Sequence, residues 1–187
     1  MDYATDKTAT GLLDVYQQRL AHWAERPIRL LEIGIERGGS LLFWADFFKH
    51  PESLILGLDL QLPAMVLPDR VLGLICDQND VSQLAQVARQ YGPFDVIIDD
   101  ASHFTNETRL CFGTLFGPAL KVGGCYVIED WAVGYWRDRD PRYRGMVEWL
   151  AELLKQAPQH AIAALTISLK PGQAYAWFEK GATGWVA

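Results

Sequence analysis

The sequence predicts an α/β fold: a doubly wound, mostly parallel seven-stranded sheet with a C-terminal antiparallel hairpin. Three observations predict it. Short apolar runs alternate with segments of helical spacing. Most of those runs end in acidic or polar residues. Near the C-terminus the alternation stops, and two strand-like runs flank a turn.

In chain order, a first helix is marked by Leu12, Val15, Tyr16 and Leu20, with Thr8 or Thr10 as candidate cap. The first strand covers Ile28 to Ile33 and the second Leu54 to Leu60, with a helix through Leu41, Trp44, Ala45 and Phe48 between them. The third strand is Val71 to Cys76, followed by a helix through Leu84, Val87 and Ala88 that Asp80 or Ser82 could cap. Phe94 to Ile98 is the fourth strand. A helix through Leu110, Gly113, Leu115 and Leu120 follows, stopped by Gly123 and Gly124. Cys125 to Ile128 is the fifth strand, and Met146, Trp149, Leu150 and Leu153 mark the next helix, with Pro141 near its start and Pro158 beyond its end. Runs this short, apolar on both faces, suit strands buried in a parallel sheet. Ile162 to Leu169 and Ala174 to Glu179, joined at Lys170-Pro171-Gly172-Gln173, read as the hairpin. Alternating β and α elements imply right-handed crossovers.

With 187 residues, half of them hydrophobic, residues 1–187 read as a single domain, of which 1–26 is an N-terminal helical segment. A net charge of -6 disfavours nucleic acid as a partner, because phosphate binding needs clustered Lys and Arg. The one basic stretch, Arg137 to Arg144, is interleaved with Asp138 and Asp140 and reads as a solvated face. No apolar run approaches the roughly 20 residues of a membrane span, and the N-terminus has no secretory pattern. Cys76, Cys111 and Cys125 have no paired spacing and read as reduced core residues of a cytoplasmic protein. Seven Trp and eight Phe suit a core, an aromatic pocket wall or a subunit interface, which leaves a homo-oligomer open.

In an open α/β sheet, ligands bind beyond the carboxyl ends of the strands. There this chain carries Glu32 to Ser40, Asp59, Asp77 to Asp80, Asp99 to His103, and Glu129-Asp130. The glycines are spaced G-x-x-x-G-G at Gly34, Gly38 and Gly39, unlike the G-x-G-x-x-G of dinucleotide sites. Glu32 just before them would repel a pyrophosphate but suit an amino-acid ammonium. That favours a zwitterionic nucleoside over NAD, and an oxidoreductase is disfavoured with it. Asp59, roughly 20 residues beyond the loop, can accept ribose hydroxyls; a helix cap or surface acid is the alternative. Asp77, with Gln78, can accept from an adenine amino group, and the alternative is an N-cap.

Leu-Leu-Glu-Ile-Gly-Ile-Glu-Arg-Gly-Gly-Ser, Leu-Gly-Leu-Asp and Phe-Asp-Val-Ile-Ile-Asp-Asp, in this order, resemble the first, second and fourth strand motifs of the Rossmann-like class I S-adenosylmethionine-dependent methyltransferases. The resemblance runs from Ile28 to the hairpin. It implies that Glu32, Gly34 and Gly38 line the methionine part of the cofactor, with Ser40 and Asp99 also among the cofactor-binding residues. It assigns the ribose to Asp59 and the adenine to Asp77 and Gln78.

Asp99, Asp100, His103, Glu129 and Asp130 crowd adjacent strand ends, and such groups repel unless something compensates. Mg²⁺ or Ca²⁺ would do so, since hard cations take carboxylate oxygens. Structural zinc is disfavoured by the few His and the absence of a Cys cluster. The alternative is ordinary: Asp99 pairs with a base, Glu129 and Asp130 lie on the surface, and His103 caps the next helix. Asp-Asp-Ala-Ser-His with Val-Ile-Glu-Asp, and Asp6-Lys7-Thr8 with Tyr16, resemble the macrocin and mycinamicin sugar O-methyltransferases and the cephalosporin-hydroxylase-like proteins. That resemblance implies Asp100, Glu129 and Asp130 as ligands of Mg²⁺ and His103 as general base. The chain departs from the group at Ala101, where glycine is usual, and in the N-terminal segment after Asp6-Lys7. It is also short, with little room for an inserted lid.

The expected reaction is methyl transfer to a hydroxyl of a small acceptor, a sugar or other natural product. The metal would chelate two neighbouring acceptor oxygens, and His103 would take the proton. Glu32 should bind the cofactor rather than accelerate transfer. Trp131, Tyr135, Trp136 and Tyr143 are candidates for the acceptor wall, and equally for core or dimer contacts. A metal-independent methyltransferase and a non-catalytic nucleoside-binding module remain as alternatives.

Overall fold

A computed structural model describes residues 3–136, 140–157, 159–170 and 172–182. The apolar runs form seven strands: β1 Arg29–Ile33, β2 Leu54–Asp59, β3 Val71–Ile75, β4 Phe94–Asp99, β5 Leu120–Glu129, β6 Ile162–Ile167 and β7 Tyr175–Lys180. They lie in one sheet in the order β3-β2-β1-β4-β5-β7-β6. The neighbours from β3 to β5 pair in parallel, while β7 runs antiparallel to both β5 and β6. The expected hairpin is therefore present, and its second strand inserts between β5 and its own partner.

The helices are α1 Lys7–Thr10, α2 Leu12–Leu20, α3 Gly39–Phe47, α4 Val81–Tyr91, α5 Thr105–Ala119, α6 Val133–Trp136 and α7 Met146–Gln156. Alternation along each strand sends side chains to two cores. On one face Leu30, Val96, Ile98 and Val127 pack with Leu13, Tyr16 and Leu20 of α2 and Leu41 and Trp44 of α3. On the other, Leu31, Ile97, Tyr126 and Ile128 pack with Leu84 of α4, Phe112 and Leu115 of α5 and Trp149 of α7. Among the described residues, no helix is long and apolar enough to cross a membrane.

Several local expectations change in detail. The first helix is two pieces, because Gly11 takes a left-handed φ of 73° between α1 and α2, and neither Thr8 nor Thr10 caps it. Asp80 caps α4, accepting from the Ser82 and Gln83 backbone N–H groups at 2.9 and 3.1 Å. Gly123 and Gly124 do not stop α5. That helix ends at Ala119, and the two glycines lie within β5, beside a register irregularity against β4. Pro158, Pro171 and Arg137 to Arg139 of the basic stretch lie outside the described residues.

Candidate active site

The carboxyl ends of β1 to β5 open on one cavity of about 510 Å³. Gly34, Ser40, Asp59, Asp77, Gln78, Asp100, His103 and Asp130 line it, as the sequence reading expects of ligand-binding residues. Glu32, Gly38, Asp99 and Glu129 do not. Strand pleating separates the two acid pairs. Glu32 and Glu129 point under the rim toward α2 and α3, and Asp99 points toward Tyr126 on the opposite face. Asp100 and Asp130 stand one residue past their strands and reach the cavity. Gly38 is covered by Pro63 and Met65, which a Cβ there would meet.

The cavity floor is built by close backbone approach. Gly34 has φ 86°, and a Cβ on it would overlap the Asp100 carbonyl and lie 2.6 Å from the Ala101 Cα. The loops after β1 and β4 can therefore touch only through glycine. Asp59 braces the same loop: its Oδ2 accepts from the Ile35 and Glu36 backbone N–H groups at 2.9 and 3.0 Å. Asp77 is not the cap of α4; its Oδ1 accepts from the Asn79 N–H at 2.8 Å while the residue lines the cavity. Gln78 links the β3 and β4 ends, donating to Ser102 Oγ at 3.0 Å and accepting from the Ser102 N–H at 3.2 Å. Glu36, His103 and Asp130 all have positive φ without being glycine. Strained backbone of this kind collects at ligand sites.

Two groups at the rim could hold a cation. In the outer one, the ligand atoms of Asp100, His103 and Asp130 lie within 4.8 Å of one another and face the cavity. The two carboxylates offer the oxygen donors that a hard divalent metal takes, and the imidazole stands beside them. His103 stands ahead of α5 and does not cap it; that position falls to Phe104, which gives no side-chain cap. Burial raises the Asp130 carboxyl above its ordinary range, His103 opposes this, and Asp100 adds to it.

The inner group is Glu32, Asp100 and Glu129. A cation already occupies it: the Lys7 ammonium. Its Nζ donates to Asp100 Oδ2 and lies 3.1 Å from Glu129 and 3.6 Å from Glu32. Glu32 also accepts from Ser40 Oγ at 2.7 Å and Trp44 Nε1 at 3.1 Å, and Glu129 accepts from the Tyr16 hydroxyl at 2.7 Å. Burial pulls the Lys7 pKa down, but the charges of Glu129, Asp100 and Glu32 outweigh it, so the pKa ends well above the usual lysine value. Burial pushes the Glu129 carboxyl up, as does Asp100, against Lys7. One ammonium faces three carboxylates, and burial with the Asp100 charge raises the Glu32 carboxyl too, against Lys7.

Sequence reading missed the roles of Lys7 and Tyr16, although the Asp6-Lys7-Thr8 resemblance was a signal for them. Cys76, Ser102, Glu36 and Arg37 also line the cavity. The aromatic candidates go elsewhere: Trp131 packs in the core and donates to the Ser168 carbonyl at 3.1 Å, Tyr135 is exposed, and Tyr143 packs on Phe104. Trp136 closes α6, and its side chain lies outside the described part.

A sheet of this order, with one antiparallel strand inserted before the last, and a nucleoside-type loop set at its carboxyl rim define the class I methyltransferase fold. Within that fold the chain is related to the macrocin and mycinamicin sugar O-methyltransferases. It is 39% identical over 137 residues to demethylmacrocin O-methyltransferase of Streptomyces fradiae, covering 67% of this chain and 34% of that protein. To mycinamicin VI 2''-O-methyltransferase of Micromonospora griseorubida it is 40% identical over 128 residues, covering 65% of this chain and 31% of that protein. The chain thus matches about a third of the length of these curated relatives. The MycE methyltransferase from the mycinamycin biosynthetic pathway, solved with Mg, SAH and mycinamycin VI, matches with a TM-score of 0.78 and 31% identity. That match covers 97% of this chain and 54% of the other. No protein-family profile matches.

Proposed function

We propose that this chain transfers a methyl group from S-adenosylmethionine to a hydroxyl of a small hydroxylated acceptor, a sugar or another natural product. One observation carries the reading: a single cavity holds Asp59, Asp77 and Gln78 together with Asp100, His103 and Asp130. The first three suit ribose and adenine, and the second three suit a metal and a proton acceptor. Relatives that are sugar O-methyltransferases support the acceptor class.

In this reading Gly34 lets the loop backbone approach the methionine part, and Ser40 lies beside it. Asp59 accepts from the ribose hydroxyls, and Asp77 with Gln78 reads the adenine. Asp100 and Asp130 would hold Mg²⁺, with Glu129 behind them; bound there, the ion would align an acceptor hydroxyl and lower its proton affinity. His103 takes the proton from that hydroxyl as the oxygen–methyl bond forms. The sulfur keeps the electron pair of the broken bond, leaving S-adenosylhomocysteine. Glu32 and Asp99 act from behind the cavity wall, Glu32 through Ser40 and Lys7.

A metal-independent form of the same reaction is favoured by one observation, the Lys7 ammonium within the acidic cluster. Chelation separates the two, because activity that survives it would remove the metal from the mechanism. For the main reading, Asp100→Asn should abolish metal-dependent turnover and leave the affinity for S-adenosylhomocysteine within about twofold by calorimetry, because Glu129 and Glu32 still hold Lys7. Collapse of cofactor binding would sink the division of roles. The net charge of -6 supports a small-molecule acceptor over nucleic acid, and three buried, unpaired cysteines support a reducing, cytoplasmic setting.

A further inference from the structure

Residues 3–10 form an arm ahead of and into α1 and before α2, and ordering such a segment costs backbone entropy. Ala4, Thr5, Asp6 and Lys7 form one wall of the cavity. Three anchors hold them. At the start, the Tyr3 hydroxyl donates to Asp46 at 2.8 Å and its ring meets Phe43 edge-on at 5.4 Å. At the end, Gln173 donates to the Thr10 carbonyl. Between them Lys7 is 3% exposed, deeper than any other described lysine, and its ammonium enters the acids of β1, β4 and β5. The arm also lies directly on α3: a Cβ on Gly39 would overlap the Ala4 carbonyl and lie 3.0 Å from its nitrogen.

We propose that Lys7 is a positioning residue that latches residues 3–10 over the cofactor cavity, joining the arm to the Asp100 and Glu129 carboxylates of the proposed active site. The start of the arm is held by an exposed hydrogen bond and one ring contact, and its end by one hydrogen bond. Only the middle is held by buried charge. Release of Lys7 frees Ala4 to Asp6 from the cavity and leaves Asp100 Oδ2 without its donor. The inference rests on the cofactor reading above.

The test compares the unsubstituted chain with Lys7→Met and Gly39→Ala. Lys7→Met removes the ammonium and keeps most of the stem. Gly39→Ala pushes Ala4 away with every charge intact, at a helix position that tolerates alanine. Amide exchange is measured without ligand, and S-adenosylhomocysteine affinity by calorimetry. Expected in both variants are at least tenfold faster exchange in residues 4–8, unchanged exchange in β1 and β4, and affinity weakened about tenfold. A merely structural lysine would instead speed exchange throughout the sheet. Protection of the arm equal to the unsubstituted chain in the variants that fold, or affinity within twofold, overturns the latch. If Lys7→Met does not fold, exchange of the arm in Gly39→Ala decides alone, because Gly39 itself lines the cavity. Failure of the unsubstituted chain to bind S-adenosylhomocysteine overturns the cofactor reading instead, which keeps the two failures apart.

Discussion

Tyr16→Phe isolates one buried hydrogen bond of the acidic cluster. The Tyr16 hydroxyl donates to Glu129 Oε1 at 2.7 Å, and both residues are buried. The ring packs edge-on against Trp44 at 4.9 Å and tilted against Trp177 at 5.7 Å, so phenylalanine keeps the aromatic contacts and removes only the oxygen. A hydrogen bond to a charged group contributes about 1.5–3 kcal/mol, and no water can replace the lost donor at a buried site. The expected loss is therefore about 2 kcal/mol wherever Glu129 is ionised, or roughly 4–8 °C in Tm for a chain of this size. The pH dependence has a definite sign. Burial and Asp100 already raise the Glu129 pKa, and removing the donor raises it further. The loss is then largest where Glu129 is ionised and fades in acid, where it is protonated in both proteins. Urea unfolding with a chelator present, from pH 5 to pH 10, measures it. A loss below about 0.5 kcal/mol at every pH would refute the reasoning, and so would a loss that grows toward acid.

Two further substitutions test the rim. Gly34→Ala forces a side chain into a left-handed backbone against the Asp100 carbonyl; strain and overlap together should cost about 3 kcal/mol by denaturant unfolding, and cofactor binding should weaken with it. Burial raises the Asp99 carboxyl from 3.8 to about 7, a shift that the Tyr126 hydrogen bond opposes and Asp100 and Glu107 increase. The folded chain then keeps a proton that the unfolded chain releases, so stability falls as pH rises from about 4 to 7. Asp99→Asn should therefore be near neutral in stability at pH 4 and gain up to about 4 kcal/mol at pH 8. Equal effects at both pH values in thermal unfolding would show that Asp99 titrates normally.

Local chemistry made the architecture legible. Apolar runs of strand length, helical spacing between them, and acids after most runs were sufficient for a doubly wound sheet with a cavity at its carboxyl rim. Asp59, Asp77, Gln78, Asp100, His103 and Asp130 do meet in one cavity, because Asp59 ends its strand and each of the others follows its strand within a few residues. Side-chain direction was not legible at the ends of the acidic strands. Asp99 and Asp100, or Glu129 and Asp130, are equivalent as letters, but the pleat sends one of each pair beneath the rim and the other into the cavity. Nor could the sequence give the partner of that hidden charge. Lys7 lies 93 residues from Asp100 along the chain, and only the packing of the arm against α3 and the β1, β4 and β5 ends brings a lysine into the acidic cluster. Periodicity reports which face of an element is apolar. It carries no record of which distant charge a buried acid will find, because that pairing follows from the path of the whole chain.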